Sequence, residues 1–228
     1  MPEYTVAVFL DHYCERVAPG LWNEPLNLFS NLAFIISGIL IGRKLIKQRR
    51  QITGSLWDLV LLNFLVFAIG IGSSLWHLLA NQWSLYADTI PILIFINIYL
   101  LSCMVRTFSL TIIMSLAIFI AYHIVNYGIQ SALPSDFLNG SIFYLPTWGF
   151  LLGIAVASHR RKPNIRNDYF SAWVFFTISL VFRTVDQSLC ASLPGGTHFI
   201  WHLLNAVTLY LLLRGLININ NSARYSSA

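Results

Sequence analysis

Seven runs of apolar residues, each near the length that crosses a bilayer, constrain the fold of this chain most. The runs cover 26–46, 56–80, 88–106, 107–127, 141–158, 169–187 and 197–215. A membrane-spanning helix needs about 20 predominantly apolar residues. Because backbone polar groups in hydrocarbon must hydrogen-bond to one another, each run is predicted to form an α-helix. The predicted fold class is therefore an all-α membrane protein with seven transmembrane helices.

The composition excludes the alternatives to a membrane protein. Hydrophobic residues make up 57% of the 228 residues, and charged residues only 10%. A soluble domain usually carries about 25% charged residues, and a disordered chain is poorer in apolar residues. The predicted organisation is an extracytoplasmic cap over 1–25, a transmembrane domain over 26–215 and a cytoplasmic tail over 216–228.

The basic residues predict the orientation of the bundle. They collect after the first, third, fifth and seventh runs, and lysine and arginine mark the cytoplasmic side of a membrane protein. Twelve of the fourteen basic residues lie on this side: Arg43, Lys44, Lys47, Arg49, Arg50, Arg106, Arg160, Arg161, Lys162, Arg166, Arg214 and Arg224. The N-terminus is therefore predicted outside and the C-terminus in the cytoplasm. Since topology explains the basic excess, we expect no nucleic-acid partner.

Five polar residues are predicted at one depth near the outer side of the membrane. Ser73 and His77 are four residues apart at the end of the second run, and His198 and His202 share that spacing at the start of the seventh. Residues four apart lie on one face of a helix. Asp88 opens the third run, eleven residues after His77. The alternating direction of the runs brings all five residues to the same level.

Three histidines and one acid at a common depth are typical of a catalytic zinc site. Zinc binds about four ligands, and catalytic sites leave one position for water. His77, His198 and His202 are the candidate ligands. Asp88 is a candidate for proton transfer, and Ser73 is a candidate donor to a developing oxyanion. The alternative is that these histidines only pack or hydrogen-bond between helices.

The order of these motifs resembles the alkaline ceramidases, which belong to a superfamily of seven-span membrane hydrolases that includes the adiponectin receptors. The matching pieces are Tyr13-Cys14-Glu15, Glu24-x-x-Asn27-x-x-Ser30-Asn31, Ser73-x-x-x-His77, Asp88, Asp186-x-x-x-Cys190 and His198-x-x-x-His202. The predicted orientation also agrees with the ceramidase branch.

The resemblance implies a role for each site residue. His77, His198 and His202 would bind zinc, and Asp88 and Ser73 would hold the water and the substrate carbonyl. The implied reaction is hydrolysis of the amide of ceramide, a membrane lipid, to a sphingoid base and a fatty acid. No protein partner is implied. The protein would lie in the plasma membrane of a bacterium, or in the endoplasmic reticulum or Golgi of a eukaryote.

Two cysteines are predicted on the outer side, where disulfides are permitted. The residues alone leave two alternatives, a bridge between Cys14 and Cys190 or two free thiols. The resemblance implies the bridge, which would tie the cap to the loop after the sixth run.

The resemblance also implies a calcium site in the cap. Glu15 and Glu24 match its acidic ligands in type, Tyr13 would offer a backbone carbonyl, and Asp11 stands one residue further from the cysteine than the family pattern expects. Val17 replaces an asparagine ligand of that pattern. Since calcium prefers six to eight oxygen ligands, the alternative is a cap with surface acids.

Arg183 and Asp186 lie three residues apart in the sixth run. Residues at this spacing are neighbours on a helix surface. We therefore expect a structural ion pair rather than a catalytic role.

Three other functions use the same residues. The first is a receptor-like protein that keeps zinc for structure. The second is a transporter or proton channel that uses Asp88, Asp186 and the histidines as a relay. The third is a hydrolase of another N-acyl lipid or of an ester.

Overall fold

The computed structural model describes residues 13–18, 20–52, 55–161 and 165–219. These residues form helices and connecting turns and contain no strand. The α-helices are α1 Pro25–Ser30, α2 Leu32–Gln48, α3 Trp57–Leu79, α4 Gln82–Phe108, α5 Ile112–Ala132, α6 Leu145–Arg161, α7 Arg166–Val185 and α8 His198–Asn218. Short 3₁₀ helices cover Ser141–Tyr144 and Gln187–Leu189. The all-α prediction is therefore confirmed for this part of the chain, while most of the predicted tail lies outside it.

Six of the helical segments are long and apolar enough to cross a membrane. They are Pro25–Gln48, Trp57–Leu79, Gln82–Phe108, Ile112–Ala132, Ser141–His159 and His198–Asn218. The protein is a multi-pass membrane protein. The remaining predicted span forms α7, which is 20 residues long but is interrupted by charged and polar side chains. Seven spans and the orientation of the termini stay predictions.

The prediction that Asp88 opens its helix is wrong. The helix begins six residues earlier, at Gln82, and Asn81 caps it in a reciprocal pair of hydrogen bonds with Ser84. Such a capping box satisfies backbone donors that the first turn leaves free. Gln82 and Ser84 interrupt the apolar pattern of the first turn, so this turn lies outside the apolar run although it is helical. Asp88 therefore lies in the second turn of α4, on a rigid part of the helix.

Helices α3 and α4 approach each other closely at a glycine. A Cβ atom at Gly72 would overlap the backbone carbonyl of Ala87 and lie 3.1 Å from the backbone nitrogen of Asp88. Only a residue without a side chain fits this contact. The close approach sets the residues that follow, Ser73 and Asp88, beside each other.

Helices α7 and α8 run antiparallel along their full lengths. At one end, Asp168 in the first turn of α7 forms an ion pair with Arg214 near the end of α8. At the other end, the carboxylate of Asp186 accepts hydrogen bonds from the backbone nitrogens of Thr197 and His198, at 2.6 and 3.0 Å. Asp186 follows α7 and His198 begins α8, so these bonds fix the height of His198 in the bundle.

Candidate metal centre

The three candidate histidines meet at one end of the bundle. One ring nitrogen from each of His77, His198 and His202 lies within 4.8 Å of the others, and all three side chains are buried. His77 lies in the last turn of α3, and the other two lie in the first two turns of α8. The predicted grouping is therefore confirmed, and the group can hold a metal ion.

Hydrogen bonds fix the orientation of two of these rings. Nδ1 of His77 lies 2.5 Å from Oε2 of Glu24, so His77 donates to the carboxylate. Nδ1 of His202 lies 2.8 Å from the hydroxyl of Ser30, which also lies 2.8 Å from the backbone carbonyl of Asn27. A hydroxyl has one hydrogen, and the carbonyl can only accept it. His202 therefore donates to Ser30 from Nδ1, and Nε2 of each of these two histidines faces the other ring.

The spacing of the ring nitrogens fits a cation. Nε2 of His77 and Nε2 of His202 lie 3.2 Å apart. Two nitrogens about 2.1 Å from a tetrahedral zinc ion lie roughly 3.3 Å apart. Nδ1 of His198 is buried without a hydrogen-bond partner among the described residues. A cation between the rings can bind one nitrogen of each histidine. The described residues add no fourth histidine, cysteine or acid to the group.

Ser73 connects the histidines to the predicted acid. Its hydroxyl lies 3.5 Å from Nε2 of His202, and its side chain is also within hydrogen-bonding reach of the Asp88 carboxyl group. Asp88 is close enough to His77 to interact with it electrostatically. The two candidate catalytic residues therefore lie beside the histidines but outside the metal-binding group itself.

Glu24, which the resemblance implied as a calcium ligand, contacts a histidine of the metal centre. Its carboxylate accepts hydrogen bonds from Arg16 at 2.5 Å and from Asn27 at 3.0 Å, in addition to the one from His77. Burial raises the pKa of Glu24, but the hydrogen bonds and the Arg16 charge outweigh burial and hold this pKa below its usual value. Arg16 also donates to the backbone carbonyl of His77 at 2.8 Å. Arg16 and Glu24 therefore hold both the ring and the backbone of one candidate ligand.

The other residues predicted to bind calcium also have protein contacts. Both oxygens of Glu15 accept backbone hydrogen bonds, from Leu26 at 2.6 Å and from Asn27 at 2.9 Å. Burial raises the pKa of Glu15 in spite of these bonds. Asp11 lies outside the described residues. The described carboxylates of the predicted calcium site, Glu15 and Glu24, already accept hydrogen bonds from the protein. Calcium binding stays a prediction.

Tyr13 covers the metal centre from the cap. Its ring stacks on His198 with a centroid separation of 3.9 Å and lies 5.1 Å from His77. Burial raises the pKa of the Tyr13 hydroxyl, although nearby Arg183 opposes this shift. The ring of Tyr13 thus reaches the metal centre, while its backbone carbonyl, which the resemblance implied as a calcium ligand, accepts a hydrogen bond from the backbone nitrogen of Arg16 at 3.2 Å.

A disulfide holds the cap on the bundle. Cys14 and Cys190 are bonded, with their Cα atoms 5.0 Å apart, which confirms the pairing that the resemblance implied. Asp186 lies under the bridge and accepts a hydrogen bond from the backbone nitrogen of Cys14 at 3.2 Å. A Cβ atom at Gly196 would overlap the Asp186 carboxylate and lie 2.9 Å from Cβ of Cys14. Gly196 has φ of +62°, so both space and backbone conformation require glycine there.

The predicted ion pair between Arg183 and Asp186 is wrong. The Asp186 carboxylate is occupied by backbone N–H groups of the loop and of α8. The Arg183 guanidinium instead lies over the rings of Tyr144 and Trp201, with its Cζ atom 5.6 and 5.4 Å from their centroids. Sequence spacing shows that the two residues are neighbours on a helix. It cannot show that the chain beyond the helix turns back and takes the carboxylate.

An apolar cavity lies next to the histidines. Trp201 belongs to both regions, because it lines the cavity and its ring lies 6.5 Å from that of His198, and Tyr144 in the cavity lining packs against Trp201 with ring centroids 5.0 Å apart. Most other lining residues are aliphatic or aromatic, including Phe34, Ile69, Ile92, Phe95, Leu100, Phe150, Phe176 and Leu212. The cavity therefore offers an apolar chain a place beside a polar centre.

Comparison with known proteins provides no family. No protein-family model matches the chain, and no curated protein matches it. The functional assignment therefore depends on the geometry of the metal centre and on the sequence motifs that form it.

Proposed function

We propose that the protein is a zinc-dependent intramembrane amide hydrolase that cleaves ceramide into a sphingoid base and a free fatty acid. The observation that carries the proposal is the meeting of three buried histidines, with Nε2 of His77 and Nε2 of His202 3.2 Å apart and beside Ser73. This separation is close to that of two nitrogen ligands on one tetrahedral zinc ion.

The donor set favours zinc and an open coordination position. Imidazole nitrogens suit zinc, and three protein ligands with one free position are typical of catalytic zinc sites. A closed structural site needs a fourth protein ligand, and the described residues supply none. When bound, zinc would polarise the substrate carbonyl and lower the pKa of a bound water molecule to about 7.

The neighbouring side chains supply the remaining chemistry. Asp88 accepts a proton as water adds to the amide carbon, and delivers it to the nitrogen as the carbon–nitrogen bond breaks. Ser73 donates a hydrogen bond to the carbonyl oxygen as negative charge develops on it. The α3–α4 contact at Gly72 holds these two groups at a fixed separation, which reduces the entropy lost on reaching the transition state.

The apolar cavity supports a lipid substrate. Its aromatic and aliphatic walls suit an acyl chain, while Trp201 and Tyr144 connect it to the metal centre. The scissile amide would then lie at the histidines and the headgroup would extend toward the cap. Binding the acyl chain positions the amide without any contact that depends on charge.

We extend the proposal to topology and location. Helix α7 runs the whole length of α8 between its contacts at Asp168 and Asp186, which supports α7 as a seventh span. An odd number of spans agrees with an outer N-terminus and a cytoplasmic C-terminus. The membrane would be the plasma membrane of a bacterium, or the endoplasmic reticulum or Golgi membrane of a eukaryote.

The test is release of fatty acid from a panel of N-acyl sphingoid lipids by the purified full-length protein in detergent. We expect release from ceramides by protein that holds about one zinc ion per chain, and loss of release when a chelator removes the metal. If folded, zinc-loaded protein releases nothing from ceramides, the proposal fails. Release from other N-acyl lipids or esters would then indicate a different substrate, and no release at all would favour the receptor-like alternative.

A further inference from the structure

The geometry points to a carboxylate-binding subsite formed by Arg183 beside the three histidines. Its ligand is the carboxylate of a long-chain lipid, either the fatty-acid product or an acidic headgroup of the substrate. The inference rests on the proposed function, because it requires a lipid in the site. It adds a second recognition element that no motif in the sequence indicated.

The position of Arg183 is fixed by the walls of the site. It lies in the last turn of α7, and its guanidinium lies over Tyr144 and Trp201. Trp201 stands between His198 and His202 on α8, and both rings line the apolar cavity. A cation over an aromatic face is held there by the ring quadrupole. The guanidinium is therefore fixed where the apolar cavity meets the metal centre.

The guanidinium has hydrogen-bonding capacity left over. The Arg183 side chain hydrogen-bonds to Tyr13, but its Nε atom is buried and has no hydrogen-bond partner among the described residues. The other arginines buried or half-buried in this part of the chain are paired with carboxylates: Arg16 with Glu24, Arg106 with Asp58 and Arg214 with Asp168. An N–H group removed from water without an acceptor is costly. A ligand oxygen would supply the missing acceptor.

The charges around the site favour an anion. Asp88 is the carboxylate that interacts electrostatically with Arg183, and His198 and His202 also lie within reach of its charge. A divalent cation on the histidines would add two positive charges, so Asp88 alone would leave the centre with a positive excess. The planar fork of arginine matches a carboxylate with two parallel hydrogen bonds.

Two lipids can bring a carboxylate to this place. In amide hydrolysis the carbonyl carbon gains an oxygen from water, its bond to nitrogen breaks and the nitrogen takes up a proton. The acyl product therefore carries a carboxylate where the amide was. An N-acyl amino acid carries one on the headgroup side before any reaction. Both place an anionic oxygen next to an acyl chain in the cavity.

The test compares palmitate with 1-hexadecanol, which has the same chain length without the carboxylate. Binding to the full-length protein in detergent is measured with and without zinc, so that direct binding to the metal is separated from binding to Arg183. We expect Arg183→Gln to weaken palmitate binding by roughly 10- to 100-fold and to leave hexadecanol binding unchanged. Arg49→Gln removes an exposed charge after α2, at the other end of the bundle, and should change neither.

Unchanged palmitate binding in Arg183→Gln, or an equal loss for palmitate and hexadecanol, would overturn the subsite. If the glutamine variant does not fold, Arg183→Lys takes its place, since it keeps the charge and loses the planar fork. It should weaken palmitate binding several-fold without affecting hexadecanol, and equal effects on both ligands would again overturn the inference.

Kinetic measurements distinguish the two sources. If the carboxylate is that of the product, Arg183→Gln relieves inhibition by palmitate and changes the kcat/KM of ceramide and of palmitoyl-glycine equally. If it belongs to the headgroup, the variant raises the KM for palmitoyl-glycine alone. The binding test needs no turnover. If the protein hydrolyses no N-acyl lipid but Arg183→Gln weakens palmitate binding as expected, the proposed function fails and the carboxylate subsite stands.

Discussion

Oε2 of Glu24 lies 2.5 Å from Nδ1 of His77, and Oε1 of the same carboxylate lies 2.5 Å from Nε of Arg16. A carboxylate that accepts the second N–H of a metal-binding histidine fixes its tautomer and its orientation. Arg16 closes the arrangement, because it also donates to the backbone carbonyl of His77. The cap therefore helps to build the metal centre, through Arg16 and through Glu24, which the resemblance implied as a calcium ligand.

Glu24→Gln is expected to lower zinc affinity by about 10- to 100-fold, the usual cost of losing such an outer partner. An amide is a weaker acceptor from His77 and leaves Arg16 without its counter-charge. Competition with a chelator of known affinity measures the effect. Glu15→Gln is the matched control, because Glu15 hydrogen-bonds to the backbone nitrogens of Leu26 and Asn27 and, among the described residues, to no histidine. Equal affinities in the wild type and Glu24→Gln would remove Glu24 from this role.

The same carboxylate predicts a dependence of stability on pH. Burial raises the pKa of Glu24, but His77, Asn27 and Arg16 together hold it below its usual value. A carboxyl group with a lower pKa in the folded state stabilises the fold above its unfolded pKa. That contribution disappears as the pH falls through the folded pKa. The difference in thermal stability between wild type and Glu24→Gln should therefore be largest near neutral pH and shrink in acid. A constant difference would contradict the assigned charge state.

Gly72→Ala tests the helix contact that positions the candidate catalytic pair. The new methyl group would overlap the backbone of Ala87, so α3 and α4 would have to separate. Overpacking of this kind costs about 1–3 kcal/mol, and the shift should also lower turnover by moving Asp88 away from Ser73. Gly149→Ala in α6 is the control, because its Cβ would meet no atom within 4 Å. We expect Gly72→Ala to lower both thermal stability and kcat, and Gly149→Ala to lower neither. Equal changes in the two variants would exclude the α3–α4 contact as the cause.

Much of the fold follows from hydrophobic length alone, since apolar runs and backbone hydrogen bonding in lipid allow few alternatives. The depth of the histidines was predictable for the same reason. Six helices among the described residues are long and apolar enough to be spans, and the start of α4 was missed because polar residues interrupt the apolar pattern in its first two turns. Helix boundaries of this kind depend on capping residues such as Asn81 rather than on hydropathy.

The surroundings of the metal centre could not be predicted from spacing. Arg16, Ser30 and Arg183 reach the site through packing between the cap, α1 and α7. Ser30 and Glu24 belong to a motif that the resemblance singled out, but nothing in their spacing shows which histidine each one contacts. Long-range contacts of this kind depend on how helices rotate against each other, and one sequence does not record that rotation.

The disulfide between Cys14 and Cys190 should stabilise the cap more than the bundle. It closes a loop of 176 residues, and bridges over long loops typically contribute about 2–5 kcal/mol. Cys14→Ser with Cys190→Ser should lower thermal stability and zinc affinity together, because Tyr13 and Glu24 would lose their anchor over the histidines. Cys103→Ser, at a buried free cysteine, controls for loss of a thiol. Unchanged zinc affinity in the double variant would show that the cap stays in place without the bridge.

Asp88→Asn separates metal binding from chemistry. Asp88 lies outside the group of nitrogens that can hold the ion, so we expect the variant to keep about the wild-type amount of zinc. It should lose turnover by at least 100-fold, since an amide cannot accept the proton that general base catalysis requires. His202→Ala should differ from Asp88→Asn in its metal content: it should lose zinc as well as turnover, because it removes one of three ligands. Metal analysis and fatty-acid release on the same preparations test both variants. Near-normal turnover in Asp88→Asn would remove Asp88 from the reaction, and full zinc occupancy in His202→Ala would remove His202 from the ligand set.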